Sequence, residues 1–326
     1  MKIKKVTQNE FETLMELMNV SFQMKDDDQF EHILPKFYYK ENEEMIHYGV
    51  YEENRLVASI GLYPMTLKSK YGTLNVACVG AVSTHPDFRL KGYFKMLMKK
   101  ILQVAKKEKY DLLFLGGNRY RYGHYGFENA GRKLVVCLSA RTKKELRPCP
   151  YQVERLNEND HLAILECLKM YNRQPQHVLR NQENFYKHVI SWNCVPYIVK
   201  VNEKIVGYFS LKDNHHVYEM LYKKKYKDCV LDACLLDKKE IYIQTSMKEY
   251  NEDLLHKIDW FRVEHNEMYK VLNWEKVAKY LNFKKGYETI FESFNNKERI
   301  RKGLGNDAFE SQFGDESIFI FPCDQG

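Results

Sequence analysis

Long apolar stretches are absent from this sequence of 326 residues. No run approaches the about 18 apolar residues that a membrane-spanning helix needs. The basic start M-K-I-K-K also lacks the apolar run that follows the charged residues of an export signal. The sequence therefore predicts a protein that has no membrane partner and resides in the cytoplasm.

Closely spaced cysteine pairs are absent as well. The eight cysteines form no Cys-x-x-Cys motif, and no histidines lie near them at the spacing of a zinc site. Scattered cysteines of this kind are typical of reduced thiols in the cytoplasm. The sequence predicts no metal ion and no metal-binding residues.

A long block of one charge is the third absence. The chain has 51 basic and 44 acidic residues, a net charge of +7, and its lysine runs, such as 223–225, are short. Short runs are typical of a solvated surface, so no nucleic-acid partner is predicted, and the excess charge indicates a mild attraction for anions. With 44% hydrophobic and 14% aromatic residues, the chain has the composition of a globular protein.

Strand-like and helix-like segments alternate in the N-terminal half, a pattern that predicts the α/β (α+β) fold class. The strand signal K-L-V-V-C-L completes this unit, and Pro148 and Pro150 interrupt the chain before the pattern restarts. The strand pair P-Y-I-V-K-V-N-E-K-I-V-G-Y-F-S-L follows the order of the earlier H-Y-G-V-Y-E-E-N-R-L-V-A-S-I-G-L, which indicates a diverged internal repeat. We predict domains at residues 1–142 and 150–273 and a short C-terminal segment at 274–326, whose role the pattern does not indicate.

The segment V-G-A-V-S-T-H-P-D-F-R-L-K-G-Y-F-K-M-L-M combines a strand, a loop and the start of a helix. Free N–H groups at a helix N-terminus and the positive end of the helix dipole bind phosphate oxygens. Gly92 allows a ligand to approach the backbone, and Arg89 and Lys91 add positive charge. A bare Arg-x-x-Gly is also typical of a plain strand-to-helix connection, but its context here favours a pyrophosphate site.

This segment resembles the signature of the GNAT acetyltransferase superfamily, a strand followed by (Gln/Arg)-x-x-Gly-x-(Gly/Ala) and a helix. The resemblance covers almost all of the first predicted domain and implies an acetyl-CoA site. Backbone groups at the end of the strand would hold the pantetheine arm and the thioester carbonyl, namely those of Val82, Ser83 and Thr84. The residues expected around the pyrophosphate are Arg89, Leu90, Lys91, Gly92, Tyr93 and Phe94, and Asn118 is a further predicted cofactor-binding residue. Phe94 stands where the family usually has a small residue.

A second motif, R-Y-R-Y-G-H-Y-G-F-E, is similar to the Tyr-x-x-x-Gly-Phe element of the same superfamily. Tyr122, Gly126 and Phe127 occupy its three defined positions. The resemblance implies that Tyr122 is the catalytic acid that protonates the departing thiolate of coenzyme A. A phenol with a pKa near 10 and a thiol with a pKa near 8.5 are matched for such a transfer. The alternative is a structural tyrosine in an aromatic cluster with its neighbours.

The paired units resemble the Eis (enhanced intracellular survival) group of GNAT proteins. The carriers of this resemblance are P-D-F-R-L-K-G-Y-F, Y-G-H-Y-G-F and a second half that has GNAT-like strands without Arg-x-x-Gly-x-Gly. It implies tandem GNAT folds, each a mixed, mostly antiparallel twisted sheet flanked by helices, of which the second is degenerate. Members of the group usually add a sterol-carrier-like domain, use the terminal carboxylate as a base and form hexamers. Only about fifty residues follow the second unit here, so the role of the Gly326 carboxylate and a homo-oligomeric state stay open.

These motifs together predict an N-acetyltransferase that moves an acetyl group from acetyl-CoA directly to a primary amine. The acceptor is a small molecule or a peptide, with aminoglycoside-like molecules, polyamines and lysine or N-terminal amines as alternatives. No residue stands out as the base, because His85 and His124 are typical of turn and loop positions, and the acidic run 26–28 is typical of a solvated loop. Cys78 and Cys137 lie in apolar strand patterns that favour buried, inert thiols. The alternative function is an acyl-CoA-binding sensor or assembly module with little catalytic activity.

Overall fold

The computed structural model describes most of the chain. The described residues are 1–40, 42, 45–235, 238–247, 254, 256–305 and 317–325. Among them, no helix is both long and apolar enough to cross a membrane. These described residues also contain no group of His, Cys, Asp and Glu side chains that could hold a metal ion.

Eight strands form the first sheet. In chain order they are β1 (Lys2–Lys5), β2 (Ile46–Glu52), β3 (Arg55–Ser69), β4 (Gly72–Thr84), β5 (Leu112–Leu115), β6 (Glu128–Ala130), β9 (Gln176–Val178) and β15 (Glu267–Val271). Their order across the sheet is β1-β2-β3-β4-β5-β15-β6, and β9 pairs with the far end of β3. The β4–β5 pair is parallel and its neighbours are antiparallel, which confirms the predicted mixed, mostly antiparallel sheet.

Seven strands form the second sheet. They are β7 (Lys133–Ser139), β8 (Gln152–Arg155), β10 (Val195–Val201), β11 (Lys204–Lys212), β12 (His216–Tyr222), β13 (Glu240–Ser246) and β14 (Trp260–Glu264). Two antiparallel pairs, β10–β11 and β11–β12, are followed by the parallel pair β12–β13. The first sheet has the same series in β2, β3, β4 and β5, so the internal repeat is present in the topology.

The two sheets exchange strands. We expected the K-L-V-V-C-L strand to complete the first unit, and this is wrong, because β7 lies in the second sheet between β13 and β14. Its apolar residues Leu134, Val136 and Leu138 pack in the second core, and β15 fills the place between β5 and β6. An apolar strand fits either sheet, so the local pattern does not decide its partner. The division at 1–142, 150–273 and 274–326 stays a prediction, and these strands cross it.

Eleven helices of the described residues connect and cover the sheets. They are α1 (Phe11–Phe22), α2 (Phe30–Ile33), α3 (Tyr93–Lys107), α4 (Arg119–Tyr122), α5 (Ala140–Glu145), α6 (His161–Tyr171), α7 (Gln182–Val189), α8 (Lys227–Leu235), α9 (Trp274–Tyr280), α10 (Tyr287–Glu292) and α11 (Asn296–Leu304). Helix α1 buries Leu14 and Met18 on one face of the first sheet, and α3 buries Leu97 and Ile101 on the other. Each helix thus presents an apolar face to the sheet.

One cysteine pair differs from the expectation of reduced thiols. Cys149 and Cys229 form a disulfide across 80 residues of sequence, with their Cα atoms 5.5 Å apart. The expectation is wrong for this pair, because the packing of α8 against α5 brings together two cysteines whose proximity the sequence does not show. The other six cysteines are buried free thiols.

Candidate active site

A cavity of about 570 Å³ lies between the end of β4 and the beginning of α3. Most of the predicted cofactor-binding residues line this cavity, so they lie close together in space. Its lining residues are Ser21, Phe22, Val82, Thr84, Phe88, Arg89, Leu90, Lys91, Gly92, Tyr93, Phe94 and Arg121. Ser83 and Asn118 do not line it.

The loop that enters α3 has an unusual backbone. Leu90 has φ 67° and Gly92 has φ 81°, so two residues separated by one position are left-handed. Leu90 also leaves its side chain in solvent, although it is a large apolar residue. Left-handed residues let neighbouring N–H groups converge on one point, as they do in anion-binding nests. The left-handed backbone at Leu90 is therefore not held by packing of its own side chain.

The N-terminus of α3 is available to a ligand. Gly92 is its N-cap residue, no side chain caps the helix, and the first turn has no acidic residue. The first N–H groups of a helix have no partner within the helix, and the helix dipole is positive at this end. Both properties favour a phosphate group at this position of the cavity.

Three cations surround the cavity. Arg89 donates from Nη2 to the carbonyl oxygen of Ser21 at 3.0 Å, and Lys91 donates from Nζ to Glu52 at 3.0 Å. The guanidinium carbon of Arg121 lies 4.2 Å from the centroid of the Phe94 ring. None of the three forms a fully buried ion pair among the described residues, so their charge can act on an anion in the cavity.

Strand β4 carries a bulge next to the cavity. Gly61 pairs with Gly80, whereas Ser59 pairs with Ser83, so β4 has one more residue than β3 in this stretch. Ala81, inside the bulge, has φ 46°. The pairing of β4 with β5 ends at Cys78 and Phe114, so β4 continues beyond it without β5. The bulge and the lost pairing leave backbone groups unpaired between the two strands.

Tyr122 ends α4 and packs against Phe94, one of the residues that line the cavity. Its side chain is buried, and its ring centroid lies 5.7 Å from that of Phe94 in an edge-to-face arrangement. Phe94, the departure from the family signature, therefore packs on Tyr122. Burial raises the pKa of the Tyr122 phenol, and the nearby charge of Arg121 lowers it less. The phenol is thus protonated at neutral pH, as a proton donor must be.

Asn118 has a structural position at the start of α4. Its side-chain oxygen accepts a hydrogen bond from the N–H of Tyr120 at 2.8 Å, so it caps the helix that carries Tyr122. Ser83 is buried, and its hydroxyl donates to the carbonyl oxygen of Ala81 at 3.0 Å. Both side chains support the site from outside the cavity.

The other candidate residues lie as their local patterns indicate. His85 accepts a hydrogen bond from the N–H of Asp87 and pairs with Arg55, which makes it a turn residue. His124 is exposed. Cys78 and Cys137 are buried thiols. The terminal carboxylate of Gly326, whose role as a base the sequence leaves open, lies outside the described residues.

One carboxylate beside this site has no signal in the local sequence pattern. Glu267, on β15, places its Oε2 atom 3.3 Å from the position that a Cβ atom on Gly116 would occupy. Gly116 follows β5 directly and precedes the loop to Tyr122. Glu267 is about 150 residues away in sequence, and only the exchange of β15 into the first sheet brings it here.

A left-handed loop, an open helix N-terminus and a buried phenol are the features that the sequence predicts for an acyltransferase. Residues 2–130 match the family described as acetyltransferase (GNAT) domain. This match confirms the predicted superfamily and enzyme class for this part of the chain.

Solved structures resemble the whole tandem arrangement. A probable N-acyltransferase from Enterococcus faecalis is 15% identical, with 86% of this chain and 74% of that chain covered and a TM-score of 0.68. A GCN5-related N-acetyltransferase from Kribbella flavida is 13% identical, with 85% of this chain and 73% of that chain covered and a TM-score of 0.61. Eis1 from Mycobacterium abscessus is 12% identical, with 88% of this chain and 77% of that chain covered and a TM-score of 0.60. At these identities the likeness shows the fold, which agrees with the predicted Eis-like architecture. A comparison with curated protein sequences gives no match.

Proposed function

We propose that the protein is an N-acetyltransferase that transfers the acetyl group of acetyl-CoA directly to a primary amine of a small molecule or a peptide. The observation that carries this proposal is the cavity at the start of α3, where an uncapped helix N-terminus lies beside Phe94, the residue on which the buried ring of Tyr122 packs. An anion site with a phenol behind its wall suits a thioester donor.

The residues of the cavity fit the groups of acetyl-CoA. The loop around Gly92 and the first turn of α3 suit the pyrophosphate, with Arg89 and Lys91 as counter-charges. The bulge at Ala81 and Val82 suits the pantetheine arm, since its unpaired backbone groups resemble those of a sheet edge. The acyl group would then lie between β4 and β5, close to Tyr122.

The transfer requires one bond to form, one bond to break and two proton movements. The amine nitrogen forms a bond with the thioester carbon, the carbon–sulfur bond breaks, and Tyr122 donates its phenolic proton to the departing sulfur. Solvent returns a proton to the phenolate. The nitrogen must lose one proton to a base in the same cycle, so the phenol alone does not complete the reaction.

Tyr122→Phe tests the proposed acid. We expect kcat for acetyl transfer to fall about 100-fold to 10,000-fold, the usual contribution of a positioned proton donor. The affinity for acetyl-CoA should stay within about twofold, because the ring and its packing on Phe94 are kept. Steady-state release of coenzyme A and calorimetric titration with acetyl-CoA measure the two quantities.

Tyr120→Phe is the matched control for this test. Tyr120 lies in the same short helix, and its ring is 86% exposed, so its loss should leave kcat unchanged. Equal kcat in Tyr122→Phe and the intact protein would contradict the acid role. Tight binding of acetyl-CoA by an intact protein that acetylates no amine would favour the sensor function instead.

A further inference from the structure

Glu267 faces the opening between β4 and β5 from the side opposite Tyr122. A Cβ atom on Gly117 would lie 2.5 Å from the Tyr122 ring, and one on Gly116 would lie 3.3 Å from Oε2 of Glu267. Successive residues of an extended chain point to opposite faces. The phenol and the carboxylate therefore flank the same two glycines from the two faces of the sheet.

The cores on either side of the sheet support this placement. Met268, the residue after Glu267, packs with Tyr122 in the core on the α3 face. Tyr269 packs with Phe114 in the core on the α1 face. Because side chains alternate along β15, Glu267 lies on the α1 face. The carboxylate thus lies on the opposite face of the sheet from α3 and the proposed pyrophosphate site. A substrate that reaches the acyl group from this face would meet the carboxylate.

Two glycines lie near the carboxylate where the pairing of β4 and β5 has ended. Gly80 on β4 and Gly116 after β5 have no side chains, and both are at least partly exposed. At Gly116, the group nearest to the position of an added Cβ atom is the carboxylate of Glu267. The carboxylate therefore lies against backbone that the solvent reaches.

We propose that the Glu267 carboxylate accepts the proton of the acceptor amine, which reaches the acyl group from the α1 face of the first sheet. This inference rests on the proposed acetyl transfer. One proton passes from the ammonium group of the acceptor to Glu267 and then to solvent, and the freed nitrogen lone pair forms the bond to the acyl carbon. The nitrogen loses its second proton by the same route, through Glu267 to solvent, as the carbon–sulfur bond breaks. Tyr122 delivers a separate proton to sulfur on the opposite face. The reaction then has one acid and one base.

The surroundings of Glu267 suit this task. Burial raises the pKa of its carboxyl to about 7, and the charge of Lys133 lowers it less. Lys133 itself lies 3.5 Å from Glu264 and donates to Gln244 at 3.2 Å, so its charge is shared. The other titratable group is the phenol of Tyr269, on the same strand, whose pKa is raised by burial above all. A base is most effective when its pKa lies near the working pH.

The carboxylate of Glu267 makes no hydrogen bond to any residue that the structure describes, whereas its backbone lies in the pairing of β15 with β6. A carboxylate that serves only to stabilise a fold is normally bonded to its neighbours when it is withdrawn from water. The oxygens of Glu267, beside two consecutive glycines, are thus available to a substrate proton.

Glu267→Gln tests the inference, because it keeps the shape and removes the proton acceptor. The assay uses acetyl-CoA with spermidine, kanamycin and a lysine-containing peptide, and it is repeated with hydroxylamine, a weakly basic acceptor that is largely uncharged at pH 8. With the fastest of the three cationic amines, we expect kcat/KM to fall about 100-fold or more. With hydroxylamine the loss should be much smaller. The affinity for acetyl-CoA should not change.

The pH profile supplies a readout that a structural role would not change. In the intact protein, kcat/KM should rise with pH through about 7 and then level off, since ionised Glu267 is the active form. In Glu267→Gln, this rise of kcat/KM with pH should be absent. Because ionisation of a buried carboxylate disfavours the folded state, the melting temperature of Glu267→Gln at pH 8 should equal or exceed that of the intact protein.

Glu264→Gln is the control, since it removes a nearby carboxylate that is paired with Lys133 and Arg262, and it should keep the profile. An intact protein that acetylates amines, with the same rate and pH profile in Glu267→Gln, would overturn this inference and leave the proposed function standing. An intact protein that binds acetyl-CoA but acetylates none of the four acceptors would overturn both. A lower melting temperature together with equal losses for every acceptor would identify Glu267 as structural and overturn its role as base.

Discussion

Replacing Gly92 by glutamate should abolish the binding of acetyl-CoA, with a loss of affinity of about 100-fold or more, equivalent to about 3 kcal/mol. Gly92 is the N-cap of α3 and has φ 81°, with no atom within 4 Å of the position of an added Cβ atom. A glutamate side chain would therefore extend into the cavity rather than into the core. Its carboxylate would occupy the positive end of the helix and repel the pyrophosphate. Calorimetric titration measures the loss.

The control for Gly92→Glu is Gly92→Asn. Asparagine tolerates left-handed backbone better than other residues with a side chain and carries no charge. We expect Gly92→Asn to bind acetyl-CoA within about tenfold of the intact protein and both variants to melt at similar temperatures. Binding by Gly92→Glu at the affinity of the intact protein would show that the pyrophosphate lies elsewhere.

Arg180→Met should destabilise the whole protein by about 3 to 5 kcal/mol, the usual cost of leaving a buried charge without its partner. The guanidinium of Arg180 is fully buried and donates to Glu219 at 2.9 and 2.6 Å and to Asp324 at 2.8 Å. Its loss would leave two carboxylates withdrawn from water without their cation. Urea unfolding at neutral pH measures the change in the free energy of unfolding.

The same cluster ties the C-terminal residues to the second sheet. Tyr171 donates to Asp324 at 2.6 Å, and Asp324 follows a segment whose Phe319 and Phe321 are buried in the same core. Burial acts to raise the pKa of Asp324, but Arg180 and His188 hold it well below its usual range. The stabilisation by this carboxyl is therefore present at neutral pH and is lost as acid protonates it.

Arg262→Met is the matched control for this prediction. Arg262 pairs with Glu264 on the surface, where its side chain is 61% exposed, and such pairs contribute between about 0 and 1 kcal/mol. A similar change in unfolding free energy for Arg180→Met and Arg262→Met would contradict the assigned role of the buried cluster.

The residues of the proposed donor site could be grouped from the sequence because most of them are contiguous. The end of β4, the loop and the start of α3 occupy one unbroken stretch, and Tyr122 follows the next strand. Short-range pattern determines each of these elements, so the loop residues come together wherever the sheet forms. Side-chain detail was harder to predict, because Asn118 caps a helix and Phe94 packs on Tyr122.

The features that could not be predicted depend on long-range pairing. In the final structure β7 lies in the second sheet and β15 takes the place between β5 and β6 in the first, and local strand propensity does not decide between these two arrangements. Glu267 reaches the site only through that exchange. Cys149 and Cys229 likewise meet only after α8 has packed. In each case, the partner lies many residues away, and a single sequence does not identify it.

The central claim is that this protein acetylates an amine, and the most direct measurement is mass spectrometry of a polyamine, an aminoglycoside and a lysine peptide after incubation with the intact protein and acetyl-CoA. We predict an acetyl group on nitrogen of at least one acceptor, with one coenzyme A thiol released for each acetyl group transferred. Saturable binding of acetyl-CoA without acetylation of any amine would contradict the claim.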